Sequence, residues 1–235
     1  MSAAPNVVFI HGALNDHRIW APLLSRLTDH SCIALDLPGH VAGSGLPLDS
    51  IEALADWLWA ELDRRGVQQA ALVGHSMGSL VALEAAARRP ERTHSFTLVG
   101  TACPMRVSEA MLTSARDQPE AAMAMVDGYS RSQPDPQGLL LTLMHSVMAA
   151  QPAVNLLEHD LRLCDRYTNG LEAAAKVTCP SQLILGEHDK MTPIKRALAL
   201  AEALRAPVHN LNAGHALMAE APDAMSNILM RFWEP

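Results

Sequence analysis

Residues 70–78, Ala-Ala-Leu-Val-Gly-His-Ser-Met-Gly, decide the fold, and the alanine-rich stretch Ser79–Arg89 follows them directly. Four apolar residues open the segment like a buried strand, and the residues after it are typical of a helix that stops at Pro90. A strand that turns into a helix within Gly-x-Ser-x-Gly needs small residues on both sides of a strained serine. The turn lifts the hydroxyl above a helix N-terminus, which favours negative charge. We therefore predict that Ser76 is a nucleophile.

Short apolar runs alternate with helical stretches on both sides of this segment. Such alternation is typical of a parallel sheet that is covered by helices on both faces. In one of the helical stretches Ile51, Leu54 and Leu58 recur at helical spacing, and Asp49 is the expected N-terminal cap. The predicted strands are Val7–Ile10, Cys32–Leu37, Ala70–Val73, Phe96–Val99, Leu183–Leu185 and Val208–Leu211.

The alternation stops between Pro104 and about Val177, where only helical segments rich in Met, Leu and Ala appear, broken by prolines. We predict four or five short helices here, inserted between the fourth and fifth strands. Residues 1–103 and 178–235 are assigned to the α/β core, and residues 104–177 to a helical cap. Methionine fits irregular apolar surfaces, and we expect Met144 and Met148 to line a substrate pocket in this cap.

A serine nucleophile needs an imidazole base, which in turn needs an orienting carboxylate. His215 is the best candidate base because Gly214-His215 follows the last predicted strand, at the sheet edge where ligands bind in such folds. Asp189 follows the fifth strand, and the loops of these two neighbouring βα units meet. The chain order Ser, Asp, His is that of one known triad. Glu187 is the alternative acid, and His188 is the alternative base.

A carbonyl group under attack gains negative charge on its oxygen, which preorganised N–H groups stabilise. Met77, directly after the nucleophile, offers one such donor from the start of the helix. The second predicted donor is Ala13, because His11-Gly12-Ala13 ends the first strand and Gly12 lets the chain turn sharply over the sheet edge.

Composition narrows the class of protein further. The 235 residues carry a formal net charge of −7 and contain three lysines, which argues against nucleic-acid binding. No apolar run is long enough for a membrane span, and the N-terminus lacks the pattern of a signal peptide. The four cysteines are far apart and form no Cys-x-x-Cys pair, so we expect neither a metal site nor disulfides. These features predict a soluble, cytoplasmic, globular protein.

Several separated motifs together resemble the α/β-hydrolase family, and the resemblance covers nearly the whole chain. The motifs are His11-Gly12 with Trp20 downstream, Asp36-Leu37-Pro38-Gly39-His40, the turn Gly74–Gly78, Gly186–Asp189 with Thr192-Pro193, and Gly214-His215 followed by Glu220-Ala221-Pro222. The resemblance implies the same five residues: Ser76, Asp189 and His215 as the triad, and Ala13 and Met77 as oxyanion donors.

The chain departs from that family in two places. It begins at what would be the family's third strand, so we expect a minimal α/β-hydrolase fold whose sheet has six strands, all parallel. After His40 the usual Gly-x-Ser is replaced by Val41-Ala42-Gly43-Ser44, which is one residue longer to the serine and changes the expected shape of that loop.

The resemblance implies acyl transfer through an acyl-enzyme, without a metal or organic cofactor. We expect a carboxylesterase-like enzyme whose substrate is a small or medium apolar ester. A thioesterase and a hydrolase of carbon–carbon bonds use the same triad, although relatives with the latter activity usually carry Asn where His75 stands. A ligand-sensing relative, which binds or slowly cleaves a signal molecule and works through a partner protein, is the alternative from another class.

Overall fold

The computed structural model describes residues 5–41, 45–135 and 137–234 of the chain. Its centre is a single sheet of six strands, every one parallel to its neighbours, in the order β2-β1-β3-β4-β5-β6. This confirms the predicted six-stranded parallel sheet. The strands are β1 (Asn6–Ile10), β2 (Cys32–Leu35), β3 (Ala70–His75), β4 (Thr93–Val99), β5 (Ser181–Gly186) and β6 (Val208–Leu211).

Helices cover both faces of the sheet and fill the long interval between β4 and β5. The helices are α1 (Ala21–Leu24), α2 (Ile51–Arg64), α3 (Met77–Arg88), α4 (Glu109–Asp117), α5 (Pro119–Ser130), α6 (Leu139–Ala150), α7 (Leu156–Arg166), α8 (Gly170–Ala174), α9 (Leu198–Leu204), α10 (Leu217–Glu220) and α11 (Pro222–Trp233). In the described part of the chain, α4 to α8 lie between β4 and β5, as the proline-broken helical pattern predicts. One detail differs from prediction: Ser50, not Asp49, caps α2, because its Oγ accepts from the Ala53 N–H at 3.0 Å.

The core has two apolar layers because successive side chains of a strand point to opposite faces of the sheet. On β1, Val8 and Ile10 pack with α2 and α3, whereas Val7 and Phe9 pack with α1 and α11. A third apolar cluster lies among α4 to α7 and includes Leu14 from the loop after β1. The inserted helices therefore have their own small core, which Leu14 of the loop after β1 joins.

The chain runs outward from β1 to β2 at one edge, returns to β3, and then proceeds through β4, β5 and β6 to the other edge. The direction of winding thus changes between β1 and β3. Ligands of open α/β sheets bind at the carboxyl ends of the strands beside such a switch point. The loops that follow β1 and β3 carry Ala13 and Ser76, so the fold brings two of the predicted site residues to that crevice.

The described residues include no helix with the length and apolar character that crossing a bilayer requires. All four cysteines are free thiols. Of the unusual loop Val41–Ser44, positions 42–44 lie outside the described residues.

Candidate active site

Ser76 lies on the turn between β3 and α3, with φ +52° and ψ −121°. A non-glycine residue in this region is strained by about 1–3 kcal/mol, so the surroundings must hold it there. The Ser76 N–H donates to the Val99 carbonyl at 2.9 Å. A Cβ on Gly74 would lie 2.1 Å from the Gly78 carbonyl oxygen, and one on Gly78 would lie 2.3 Å from that of Ile10. Both glycines of the motif are therefore required by close backbone approach, as the pattern predicts.

His215 and Asp189 form a buried pair at the ends of neighbouring strands. His215 Nδ1 lies 2.7 Å from Asp189 Oδ2, and both residues are nearly inaccessible to water. The other oxygen of Asp189 accepts from the Met191 N–H at 2.8 Å and from the Thr192 N–H at 2.7 Å. The Thr192 hydroxyl donates to Asp189 Oδ2 at 2.7 Å. The carboxylate is thus fixed by its own loop and can fix the orientation of the imidazole.

These contacts determine the charge of Asp189. Burial by itself raises the pKa of this carboxyl, but His215 and the hydrogen bonds from Thr192 lower it well below its usual range. Because the carboxylate can only accept, His215 carries a hydrogen on Nδ1, and in the neutral ring the lone pair is on Nε2. Within the described residues Nε2 has no hydrogen-bond partner, and His215 lines the same cavity as Ser76. The imidazole is therefore arranged to accept a proton from within the cavity.

His75 supports the main chain of His215. Its Nε2 donates to the His215 carbonyl at 2.9 Å, and the two ring centroids are 4.6 Å apart. Burial, with a contribution from the neighbouring His215, lowers the pKa of His75 to about 3, so this ring is neutral. Such a contact gives His75 a structural role beside Ser76.

The loop after β1 runs directly against Ser76. A Cβ on Gly12 would lie 3.0 Å from Ser76 Cβ, and the neighbouring Ala13 lines the same cavity as Ser76. In the part of the chain that the structure describes, neither the Ala13 N–H nor the Met77 N–H donates a hydrogen bond. Two free backbone donors beside a serine hydroxyl are what an oxyanion site requires.

A cavity of about 340 Å³ opens over Ser76, Ala13 and His215. This volume lies within the usual range for small-molecule sites. The charged side chains among its described lining residues are all basic: Arg106, Lys190 and Arg196. The apolar side chains come mostly from the inserted helices and the segment before them, and they include Met105, Val107, Met111, Val126, Leu140, Leu157 and Leu161.

Met144 and Met148 were expected in this lining, and the structure does not place them there. Met144 is completely buried in the cluster shared by α4 to α7, and Met148 packs against the same cluster from its margin. The physical reason is the rotation of α6, which turns these positions toward the other inserted helices, whereas Leu140 of the same helix reaches the cavity. The methionines of residues 104–177 that do line it are Met111 on α4 and Met105 before that helix.

The alternative acid and base lie on the surface. Glu187 and His188 are both exposed and neither lines the cavity. His188 Nε2 lies 2.8 Å from the Asn212 side-chain oxygen, so its imidazole is occupied elsewhere. Of the four candidate acids and bases, only His215 lines the cavity with Ser76, and Asp189 is the carboxylate that contacts it.

A second buried histidine–aspartate pair escaped the sequence analysis. His40 Nε2 lies 2.9 Å from Asp160 Oδ2, and both side chains are almost completely buried. The same Asp160 oxygen accepts the Leu14 N–H at 2.8 Å. Asp160 belongs to α7, and nothing in its sequence surroundings signals a contact with residues 120 and 146 positions away. His40 does stand in one of the motifs on which the family resemblance rests.

Three potential metal ligands lie close together at Asp16, His17 and Asp36, with their ligand atoms within 4.8 Å of one another. Both oxygens of Asp16 already accept from the Arg18 side chain, and His17 Nδ1 lies 2.8 Å from Asp36. These residues do not line the cavity. The contacts of Asp16 with Arg18 and of His17 with Asp36 account for the cluster.

Known proteins resemble this chain over most of its length. Residues 7–228 match the alpha/beta hydrolase family. The chain is 31% identical to a pimeloyl-[acyl-carrier protein] methyl ester esterase of Chromobacterium violaceum, over 87% of this chain and 84% of that protein. It is also 31% identical to a putative carbamate hydrolase RutD of Pseudomonas savastanoi pv. phaseolicola, over 86% of this chain and 82% of that protein.

Solved structures give the same picture of the fold. A thermophilic esterase superimposes with a TM-score of 0.81 at 26% identity, over 96% of this chain and 88% of that one. The enol-lactonase of Burkholderia xenovorans superimposes with a TM-score of 0.85 at 23% identity, over 98% and 92% of the two chains. The sheet and its helices are thus shared with enzymes of this architecture.

Proposed function

The chain belongs to the alpha/beta hydrolase family, and we propose that it is a serine hydrolase that cleaves small or medium apolar carboxylic esters. The observation that carries the proposal is the pair His215–Asp189, 2.7 Å apart, whose imidazole lines the same cavity as the strained Ser76. The esterase names of similar proteins support the ester as the bond that is cleaved.

In the proposed reaction Ser76 Oγ attacks the ester carbonyl carbon and His215 Nε2 takes the hydroxyl proton. The carbonyl electron pair moves onto oxygen, where the N–H groups of Ala13 and Met77 stabilise the charge. When the intermediate collapses, the alcohol leaves with the proton from His215 and an acyl-enzyme remains. Water, activated by His215, then releases the acid and restores the serine. Asp189 holds the imidazole in the required tautomer throughout.

Replacement of Ser76 by alanine tests the nucleophile. Turnover of p-nitrophenyl esters should fall by several orders of magnitude in kcat while the far-UV circular dichroism spectrum is unchanged. A fluorophosphonate should label wild-type protein on the peptide that contains Ser76 and should not label the variant. Activity within about tenfold of wild type, in folded protein, would exclude Ser76 as the nucleophile.

The substrate class is tested by a panel of esters of rising chain length, with thioester and β-diketone substrates beside them. Because the charged lining residues are all basic, each ester should be paired with one that carries a carboxylate at its far end. We expect the highest kcat/KM on oxygen esters. A higher value on the thioester or diketone would move the assignment to that reaction. A single burst of product without turnover would indicate a ligand sensor.

Residues 104–177 are proposed to act as a cap that selects the acyl chain. Replacing Met111 by phenylalanine should shift the preference toward shorter chains, because Met111 lines the cavity and the ring is bulkier. Met144→Leu is the matched control: this buried methionine lies off the cavity, and a swap of similar volume is tolerated in cores. An unchanged chain-length profile for Met111→Phe would assign selection to the loops of the core.

A further inference from the structure

The loop that carries the proposed oxyanion donor is held from two sides. The Ala13 N–H belongs to the peptide unit between Gly12 and Ala13, and the carbonyl of that unit accepts from His11 Nδ1 at 2.9 Å. His11 Nε2 accepts the Leu37 N–H at 3.0 Å, which places the ring hydrogen on Nδ1. Burial and the neighbouring His40 lower the pKa of His11 to about 3, so this arrangement persists in the neutral ring. His11, a residue of the α/β core, therefore holds the peptide unit that carries the Ala13 N–H.

The next peptide unit, between Ala13 and Leu14, is held at both ends. Its carbonyl accepts from Asn15 Nδ2 at 2.8 Å, and its N–H donates to Asp160 Oδ2 at 2.8 Å. Leu14 has φ +48°, a left-handed conformation that costs a non-glycine residue free energy and that the surroundings must maintain. Displacement of this peptide unit would move the Ala13 Cα and with it the Ala13 N–H, because the two units share that atom.

Asp160 is the member of this arrangement that does not belong to the core. It lies on α7, 146 residues from Leu14, and its side chain is completely buried. Water cannot take the place of a lost hydrogen-bond partner at such a position, and a buried carboxylate is costly in free energy unless it is paired. His40 supplies the pairing at 2.9 Å. One carboxylate on an inserted helix thus contacts two loops of the core. One is the loop after β1 that carries Ala13, called the oxyanion loop below, and the other is the loop after β2.

We propose that Asp160 is a positioning residue, which sets the direction of the Ala13 N–H through Leu14 and so makes the oxyanion site depend on how α7 is seated on the core. This inference rests on the proposed function, since it concerns the oxyanion donor of that reaction. It assigns a catalytic consequence to a contact between the insertion and the core that does not touch the substrate.

Asp160→Ala tests the inference, with Asp160→Asn as the conservative variant that keeps an acceptor for the Leu14 N–H. In Asp160→Ala we expect kcat to fall about 10–100-fold with KM changed less than about threefold, because a small displacement of a catalytic donor acts on the transition state. Asp160→Asn should recover most of that loss. Affinity for a trifluoromethyl ketone, which Ser76 converts into a tetrahedral oxyanion, should fall in parallel with kcat, whereas affinity for the matching methyl ketone should not.

Asp165→Ala is the matched control. Asp165 also lies on α7 and also accepts a backbone N–H from outside that helix, from Val107 at 3.1 Å, but it has no contact with the oxyanion loop. We expect its kcat to stay near that of wild type. A fall in thermal stability alone, with kcat and ketone affinity unchanged in folded Asp160→Ala, would show a purely structural residue and overturn the proposal.

Asp160→Glu decides the matter if the alanine variant does not fold. It keeps the buried charge but moves the carboxylate by one methylene, so the Leu14 contact cannot remain as it is. A lower kcat supports the proposal, and a wild-type kcat overturns it. If instead Ser76→Ala retains full turnover, the proposed function itself fails, and this result is distinct from any obtained at position 160.

Discussion

His215 and His40 are both buried, and each lies within hydrogen-bond distance of an aspartate, Asp189 at 2.7 Å and Asp160 at 2.9 Å. Their remaining ring nitrogens differ. His215 Nε2 has no partner among the described residues and belongs to a ring that lines the cavity, whereas His40 Nδ1 lies 3.1 Å from the Pro38 carbonyl oxygen. A histidine–aspartate pair can therefore act in acid–base catalysis only where the second ring nitrogen is free to exchange a proton with a ligand.

The second nitrogen also sets the charge. His40 faces a carboxylate and a carbonyl, which both only accept, so both of its nitrogens carry hydrogen and the ring is cationic. Burial by itself lowers the pKa of His40, but Asp160 more than offsets this effect and raises it. Burial raises the pKa of Asp160, yet His40, His159 and the Leu14 N–H lower it below its usual range. The His40 pair is thus a buried ion pair that joins two parts of the fold.

The largest expected difference between the two pairs is in kcat, when the aspartate of each pair is replaced by asparagine. Asp189→Asn should lower kcat by about 10⁴-fold, because an amide beside His215 favours the wrong tautomer. Asp160→Asn should lower kcat by less than about tenfold, because its effect reaches the chemistry only through loop position. Steady-state kinetics on one ester measure both. Equal losses in the two variants would remove the distinction between them.

The next effect concerns stability. Removal of one partner of a buried ion pair costs about 3–5 kcal/mol, and we expect a loss of this size in the free energy of unfolding of His40→Ala. His215 borders a cavity, so His215→Ala should lower the free energy of unfolding by less, although it should remove nearly all activity. Urea denaturation of both variants, with wild type as reference, makes the comparison. A larger loss of stability in His215→Ala would contradict the assignment of His40 as the structural member.

The pH dependence of stability should reveal the His40 pair. A raised pKa at His40 contributes stability that is complete below the ordinary histidine value of 6.5 and is lost as pH rises through the folded-state pKa. A lowered pKa at Asp160 contributes stability that is complete above the ordinary value of 3.8 and is lost as pH falls through the folded-state pKa. The contribution should therefore be largest between pH 3.8 and 6.5.

The reference for that measurement is the double variant His40→Gln with Asp160→Asn, which keeps the neighbouring His11 and His159. The difference in free energy of unfolding between wild type and this variant should be smaller at pH 9 than at pH 6. A difference that stayed constant from pH 4 to pH 9 would mean that the pair is not ionised.

The smallest effects are expected at the alternative acid and base. Glu187→Gln and His188→Ala should each change kcat by less than about threefold, because substitutions of exposed residues that do not contact the site usually have small effects on the protein. Both substitutions lie beside Asp189 in sequence, so they also serve as controls for the local effect of mutating this loop. If Glu187→Gln were the more damaging change, the role of the acid would pass from Asp189 to Glu187.

The sheet and the Ser76 turn could be predicted because their signals are local. Six apolar runs gave the strands, and the Gly74 and Gly78 positions follow from backbone approach within one strand–turn–helix unit. The meeting of Asp189 with His215 could also be anticipated, since loops of neighbouring parallel strands share one edge of the sheet. The sequence pattern was thus sufficient to predict those contacts that the parallel sheet and its strand–turn–helix units produce by themselves.

The contacts of the inserted helices could not be predicted in the same way. Asp160 meets Leu14 and His40 only because α7 packs at one particular angle, and no sequence period encodes that angle. Met144 and Met111 look equivalent in sequence, yet the rotation of each helix sends one into the inserted core and the other to the cavity. A pattern reports which face of a helix is apolar, and it does not report which of two apolar surroundings that face meets.

The backbone at Ser76 has a consequence for how this protein can evolve. A residue held at φ +52° lowers the free energy of unfolding, and a glycine there would recover part of that loss while removing the proposed nucleophile. Under the proposed function, selection for thermal stability alone would therefore drive this position toward an inactive protein. The strained serine would be kept only by selection for turnover.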